Sequence, residues 1–158
     1  MSDAMISTDA ITLPAVTAPP LSQRDTDRYR MIAVRLERIL PGRGRILIVT
    51  SPATGDGKTT TAIHLAQALA AFGGRVLLVD ERSDLARNLA TLRARYDWVL
   101  VDTPALDGCA DAAILAREAD GVLLVVRSAH TSGPALRAAM EALSHTRIVG
   151  CVLNAFKE

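Results

Sequence analysis

The stretch Arg45–Phe72, RILIVTSPATGDGKTTTAIHLAQALAAF, decides the fold. It opens on an apolar strand, Ile46 to Val49, crosses a glycine-bearing loop, and predicts a helix starting at Lys58–Thr59. Such a loop leaves several backbone N–H groups pointing into one cavity, and the positive end of the helix dipole faces the same space. Gly55 and Gly57 carry no Cβ to obstruct an approaching phosphate. Lys58 can reach the terminal phosphates of a nucleoside triphosphate, and the Thr59 hydroxyl can ligate Mg²⁺. Gly-Asp-Gly is also a common turn, so the context has to separate the two readings. A strand precedes the loop, and Ala62, Leu65, Leu69 and Phe72 recur on one face of the helix after it. Of the eighteen basic residues only two are Lys, and one of them stands at the phosphate position. The generic spacing G-x-x-x-x-G-K-[ST] would place Gly at position 52, where this chain has Pro52. The candidate phosphate-binding residues are Thr54, Gly55, Asp56, Gly57, Lys58, Thr59 and Thr60.

Composition narrows the class. At 158 residues the chain suits one domain, 49% of it is apolar, and its net charge of +1 creates no strong field for nucleic acid. Aromatic residues are only 3%, so Val, Leu, Ile and Ala must build the core, as in parallel α/β sheets. The longest apolar run, Val122 to Val126, is too short to span a bilayer, and no secretory signal is read at the N-terminus. Cys109 and Cys151 do not make a disulfide framework, so a cytoplasmic location is expected.

Residues 1–23, with Pro14, Pro19 and Pro20, read as a disordered or loosely packed arm preceding a domain over 24–158. A helix over 25–40 follows, with Ser22 and Asp25 spaced as a capping box and a stripe of Tyr29, Ile32, Ala33, Leu36, Ile39 and Leu40. From Arg24 to Arg45 seven Arg face three acids, which reads as a solvated face rather than a docking surface. Downstream, strands at 75–80, 96–102, 120–126 and 147–153 alternate with helices marked by Leu85, Leu89 and Leu92, by Ala110 to Glu118, and by Leu136, Ala139, Met140 and Leu143. This alternation predicts a three-layer, doubly wound α/β fold whose mainly parallel sheet has about five strands, of P-loop NTPase type. Ligands bind beyond the carboxyl ends of such strands. The loop, Asp80, Asp102 and Asn154 all lie there.

A triphosphate with Mg²⁺ needs acids to hold the metal or its waters. Asp102 follows Val99-Leu100-Val101 and has the form of a Walker B aspartate; Asp80, after Leu77-Leu78-Val79, repeats it. An aspartate at a strand end also commonly caps the next turn. The catalytic candidates are Lys58, Asp80 and Asp102, and the metal candidates Thr59, Asp80 and Asp102. His64, His130 and His145 show no metal spacing and read as surface or packing residues.

With Ile48 to Ala66, VLLVD at 76–80, YDWVLVDTP at 96–104, ADGVLLVVRSAHT at 119–131 and Val149 to Asn154 assembled, the chain resembles the bacterial tyrosine kinases of capsule and exopolysaccharide synthesis. Those belong to the deviant-Walker class that also contains the Min and Par ATPases. The resemblance implies ATP and Mg²⁺ as cofactors, Lys58 and the backbone of 55–60 on the phosphates, Thr59 on the metal, Asp80 as Walker A′ acid, Asp102 as Walker B acid, and Asn154 on adenine. It also implies a membrane-bound polysaccharide co-polymerase as partner, a homo-oligomer, and recruitment to the inner face of the membrane. Departures are equally specific. Arg82 stands where the family carries a second acid, and Asp84 where an Arg is common. Only 22 positions separate Asp80 from Asp102, and Ala33 replaces the last Arg of an oligomer motif otherwise kept by Asp27 and Arg30. Tyr29 and Tyr96 are the only tyrosines, so no C-terminal tyrosine cluster is present. Two alternatives stay open beside the kinase-like reading: a nucleotide-gated binding module, and a partition-type ATPase, which lacks its signature early Lys here.

Overall fold

The computed structural model describes residues 11–12, 18–82 and 88–155. In chain order the elements are β1 (Ile11–Thr12), α1 (Gln23–Ile39), β2 (Arg45–Thr50), α2 (Lys58–Ala70), β3 (Val76–Asp80), α3 (Leu89–Arg95), β4 (Trp98–Asp102), α4 (Asp111–Ala116), β5 (Gly121–Arg127), α5 (Gly133–Ala142) and β6 (Ile148–Asn154). The strands form one sheet in the order β1-β3-β4-β2-β5-β6, every pair parallel. Five strands match the expected set. The sixth is a two-residue addition at the edge, where Ile11–Thr12 pairs with Val76–Leu77 from within the segment read as an arm. Most of that arm, with Pro14, and also Asp84 and Leu85, lies outside the described residues.

The two-residue period of a strand sorts the core into two layers. Along β2, Leu47 and Val49 face α1 and α2 together with Leu65, Leu69, Trp98 and Leu100. Ile46 and Ile48 face the opposite side with Leu89, Leu92, Ala116, Val101 and Leu143. Helices on both faces of a parallel sheet explain why its strands read as unbroken apolar runs.

The first helix, Gln23–Ile39, starts two residues before the expected 25 and is capped by Ser22. Ser22 Oγ accepts from the Asp25 N–H at 3.1 Å and donates to the Asp25 carboxylate at 2.7 Å. Its far end is anchored by Arg45, whose side chain is 7% exposed. The Arg45 guanidinium donates to both oxygens of Glu37 (2.6 and 3.2 Å) and to Leu40 O, and lies 4.0 Å above the Trp98 ring. Trp98 Nε1 completes the knot by donating to Glu37 Oε1 at 2.7 Å.

Three residues assigned to buried helix faces are outside them, the first being Ile39, 37% exposed at the end of α1. Phe72 is 54% exposed, because α2 stops at Ala70 and the left-handed Gly73 turns the chain away before another helical turn forms. Met140 is 47% exposed on α5, whose buried face is carried by Ala139. Among the described residues no helix is long and apolar enough to cross a membrane.

Candidate functional site: the phosphate loop and two strand-end acids

The parallel register brings the site together. Asp80 and Asp102 are lateral partners on β3 and β4, and Asp102 is also level with Val49 on β2, one residue before Thr50 closes that strand. Neighbouring strands are separated by about 4.8 Å, so two carboxylates and the start of the loop share one strand-end crevice.

The loop is shaped by its glycines and by one buried acid. Gly55 and Gly57 have φ of +87° and +91°, a conformation that side chains with a Cβ disfavour. A Cβ on Gly57 would also collide with the Asn154 amide. Asp56 is fully buried; its Oδ2 accepts from the Ala53 N–H at 3.0 Å and its Oδ1 from the Thr131 hydroxyl at 2.8 Å. Of the predicted loop residues, Asp56 therefore lends its main chain to the cavity while its carboxylate is spent inside the protein. Helix α2 then opens at Lys58 with no side-chain cap among the described residues, and its first intrahelical bond is Thr61 N–H to Gly57 O at 3.0 Å. The amides before that bond are left for a ligand at the positive end of a thirteen-residue helix.

The acids are unequal. Asp102 Oδ2 accepts from the Thr59 hydroxyl at 2.7 Å, while its Oδ1 is buried and has no partner among the described residues. Burial raises the Asp102 carboxyl above the usual carboxylate range, partly offset by the Thr59 hydroxyl and the Lys58 charge. Asp80 Oδ1 accepts from Arg82 N–H at 2.9 Å and lies 3.5 Å from the Arg82 guanidinium. It caps its own turn, as a strand-end aspartate commonly does, while still facing Asp102. Glu81, a residue the strand pattern gave no reason to single out, joins them: burial and the charges of Asp111, Asp80 and Asp102 raise its carboxyl.

Asn154 is brought to the same place from β6. Its amide donates to Asp56 O at 3.0 Å and its Oδ1 accepts from the Ala155 N–H. Beside it lies a cavity of about 480 Å³, bordered by Tyr29, Ile32, Thr60, Val152 and Asn154. The predicted loop residues, Asp80, Asp102 and Asn154 thus converge on one end of the sheet. The neighbouring loops add unpredicted contacts: Asp107 accepts from the Thr54 N–H, Arg127 donates to Gly55 O, and His130 meets Thr54 O.

Residues 47–158 match the CobQ/CobB/MinD/ParA nucleotide binding domain. The chain belongs to the CobQ/CobB/MinD/ParA nucleotide-binding domain family. Its fold is accordingly of P-loop NTPase type. Among relatives, this domain is similar to the tyrosine-protein kinase YwqD of Bacillus subtilis, 26% identical over 204 aligned positions covering 90% of this chain and 85% of that protein. The aligned length exceeds this chain's own 158 residues, so YwqD carries segments absent here. The chromosome partitioning protein ParA of Caulobacter vibrioides is 34% identical over 96 residues, 56% of this chain and 34% of ParA. In backbone, the domain superposes on the kinase domain of Escherichia coli tyrosine kinase ETK with a TM-score of 0.70, at 19% identity, covering 84% of this chain and 78% of that one.

Proposed function

We propose that this nucleotide-binding domain takes Mg-ATP and acts as a member of the bacterial tyrosine-kinase branch, by phosphoryl transfer or slow hydrolysis. The observation that carries the reading is the Asp102–Thr59 pair beside an uncapped helix N-terminus. One carboxylate oxygen is buried without a partner among the described residues, and a hydroxyl is already turned toward the other. A lone buried carboxylate oxygen without a donor is costly, and a divalent cation satisfies it. Thr59, Asp102 and Asp80 would hold that ion, directly or through water. When bound, it would neutralise charge on the phosphoryl oxygens. The loop amides and Lys58 would orient the phosphates, and the cavity beside Asn154 and Thr60 would take the base.

A second reading, a nucleotide-gated module without transfer, is favoured by Arg82. Its guanidinium sits against Asp80, where it competes with an incoming cation. Tyr29 borders the cavity assigned to the base, beside Thr60 and Asn154. Tyr29 is packed 5.3 Å from the His64 ring, and Tyr96 precedes β4 at the opposite end of the sheet. Contrary to the solvated face expected of this segment, Met31 and Val34 stay exposed near Arg35 and Arg38 on α1, where a membrane-bound polysaccharide co-polymerase or a second copy would meet them.

Titration of ATP with and without Mg²⁺ tests the binding claim. Lys58→Ala should weaken binding by about 2–3 kcal/mol, roughly 30- to 150-fold in Kd. Unchanged affinity in that variant would remove the phosphate-loop assignment. Mass spectrometry after incubation with ATP and a tyrosine peptide then separates transfer from gating.

A further inference from the structure

Three contacts join the phosphate loop to the turn that follows β5. The Arg127 guanidinium donates to Gly55 O at 3.1 Å, His130 Nε2 meets Thr54 O at 3.2 Å, and the Thr131 hydroxyl donates to Asp56 Oδ1 at 2.8 Å. The turn is itself organised around Thr131, whose hydroxyl accepts from the Arg127 N–H at 2.9 Å. A single chain of bonds therefore runs from Arg127 N–H through Thr131 and Asp56 to the Ala53 N–H inside the loop. The turn contacts Thr54 and Gly55 through their carbonyl oxygens, not through their amides. In a loop whose amides gather round an anion, the carbonyls must face away, and donors on that outer side fix the orientation.

The backbone supplies an independent sign that this turn is held from outside. Ala129, between Ser128 and His130, has φ of +56°. An L-residue in that region costs about 1–2 kcal/mol and persists where surrounding contacts over-determine it. Among the described residues the one other non-glycine with positive φ is Ala155, directly after Asn154, which also donates to the loop. Both strained residues sit at the points where a neighbouring strand exit grips the loop.

We propose that Arg127, His130 and Thr131 are positioning residues of the phosphate site: by binding the outward carbonyls and the buried carboxylate of the loop, they hold its amides convergent before the nucleotide arrives. They touch the loop and not the ligand. This rests on the nucleotide reading above and deepens it by assigning the β5–α5 turn to the same site.

Titration of the full chain with Mg-ADP tests the assignment. Thr131→Val should raise Kd about tenfold, the scale of one buried hydrogen bond converted at 1.4 kcal/mol per decade. Arg127→Ala, at an exposed side chain that threatens no fold, should raise it about threefold to tenfold. Thr131→Ser keeps the hydroxyl and should restore binding to within about twofold of the parent. Parent-like affinity in both Thr131→Val and Arg127→Ala would overturn the proposal, and so would equal losses in Thr131→Ser and Thr131→Val, which would mark simple packing damage. Lys58→Ala in the same series separates the two levels. If Lys58→Ala loses affinity while the turn variants do not, nucleotide binding stands and the positioning role falls. If Lys58→Ala also binds normally, the phosphate site fails and the positioning role with it.

Discussion

Strand β4 has two ends that solve opposite problems. At its start, Asp97 accepts from the Arg43 and Arg75 guanidinium and amide groups, and Trp98 locks into the Glu37–Arg45 pair. Five residues on, Asp102 keeps a buried oxygen with no partner among the described residues and sits beside two further acids, Asp80 and Glu81. The titration shifts follow. Hydrogen bonding from the Arg75 backbone and the Arg43 side chain lowers the Asp97 carboxyl below its usual range, whereas burial raises Asp102. One end of the strand is satisfied and holds the layers together; the other is left short of partners and so is suited to a cationic ligand.

Breaking the satisfied end should cost most. Glu37 binds both Arg45 and Trp98, so Glu37→Ala leaves a guanidinium stranded over a fully buried indole ring. A loss of about 2–3 kcal/mol in urea unfolding is expected, with the nucleotide affinity of the folded protein unchanged. A variant that lost nucleotide binding without losing stability would show that the two ends are not separate.

The ligand-facing end should answer in the opposite sense. A carboxyl whose folded pKa lies above its unfolded value binds protons more tightly when folded. Its contribution to stability is therefore full below the unfolded pKa and is lost as pH rises through the folded one. Unliganded protein should lose stability from Asp102 as pH climbs out of the ordinary carboxylate range, while the Asp97 contribution, with its lowered pKa, is lost only as pH falls below that range. Asp102→Asn should flatten the first slope and raise unliganded stability at neutral pH by about 1 kcal/mol, some 2–4 °C in Tm. The same change should abolish Mg²⁺ dependence of nucleotide binding. Thermal scans of both proteins from acid to neutral pH, with and without Mg-ATP, give both readouts.

The sequence disclosed the unsatisfied end far better than the satisfied one. VLLVD and WVLVD each end an unbroken apolar run on an acid, and the loop glycines precede a helix, so Asp80, Asp102 and Lys58 could be placed from local pattern alone. Parallel register then did the rest, because equivalent strand ends meet. The contacts of Thr54 with Asp107, His130 with Thr54 and Thr131 with Asp56 bridge 53, 76 and 75 positions between loops that carry no period, so no local signal announces them. The Glu37–Trp98 bond, 61 positions long, is hidden for the same reason. Phe72 and Met140 misled because apolar spacing continues past the point where a left-handed glycine or the breadth of the buried face ends its meaning.

The smallest effect tests the comparison most finely. Glycine adopts φ of +56° without the Cβ penalty but gives the unfolded chain more freedom to lose, so Ala129→Gly gains by one term and gives back part of it by the other. A net rise of about 0.5 kcal/mol is expected, some 1–2 °C in Tm. If the turn merely covers the sheet, nucleotide affinity should stay level or follow the stability upward. If it holds the phosphate loop, a softer turn lets the loop sample more conformations, and Mg-ADP affinity should fall by about twofold while Tm rises. Stability and affinity moving in opposite directions after deletion of one methyl site would show that the strain at Ala129 is retained for the loop and not for the fold.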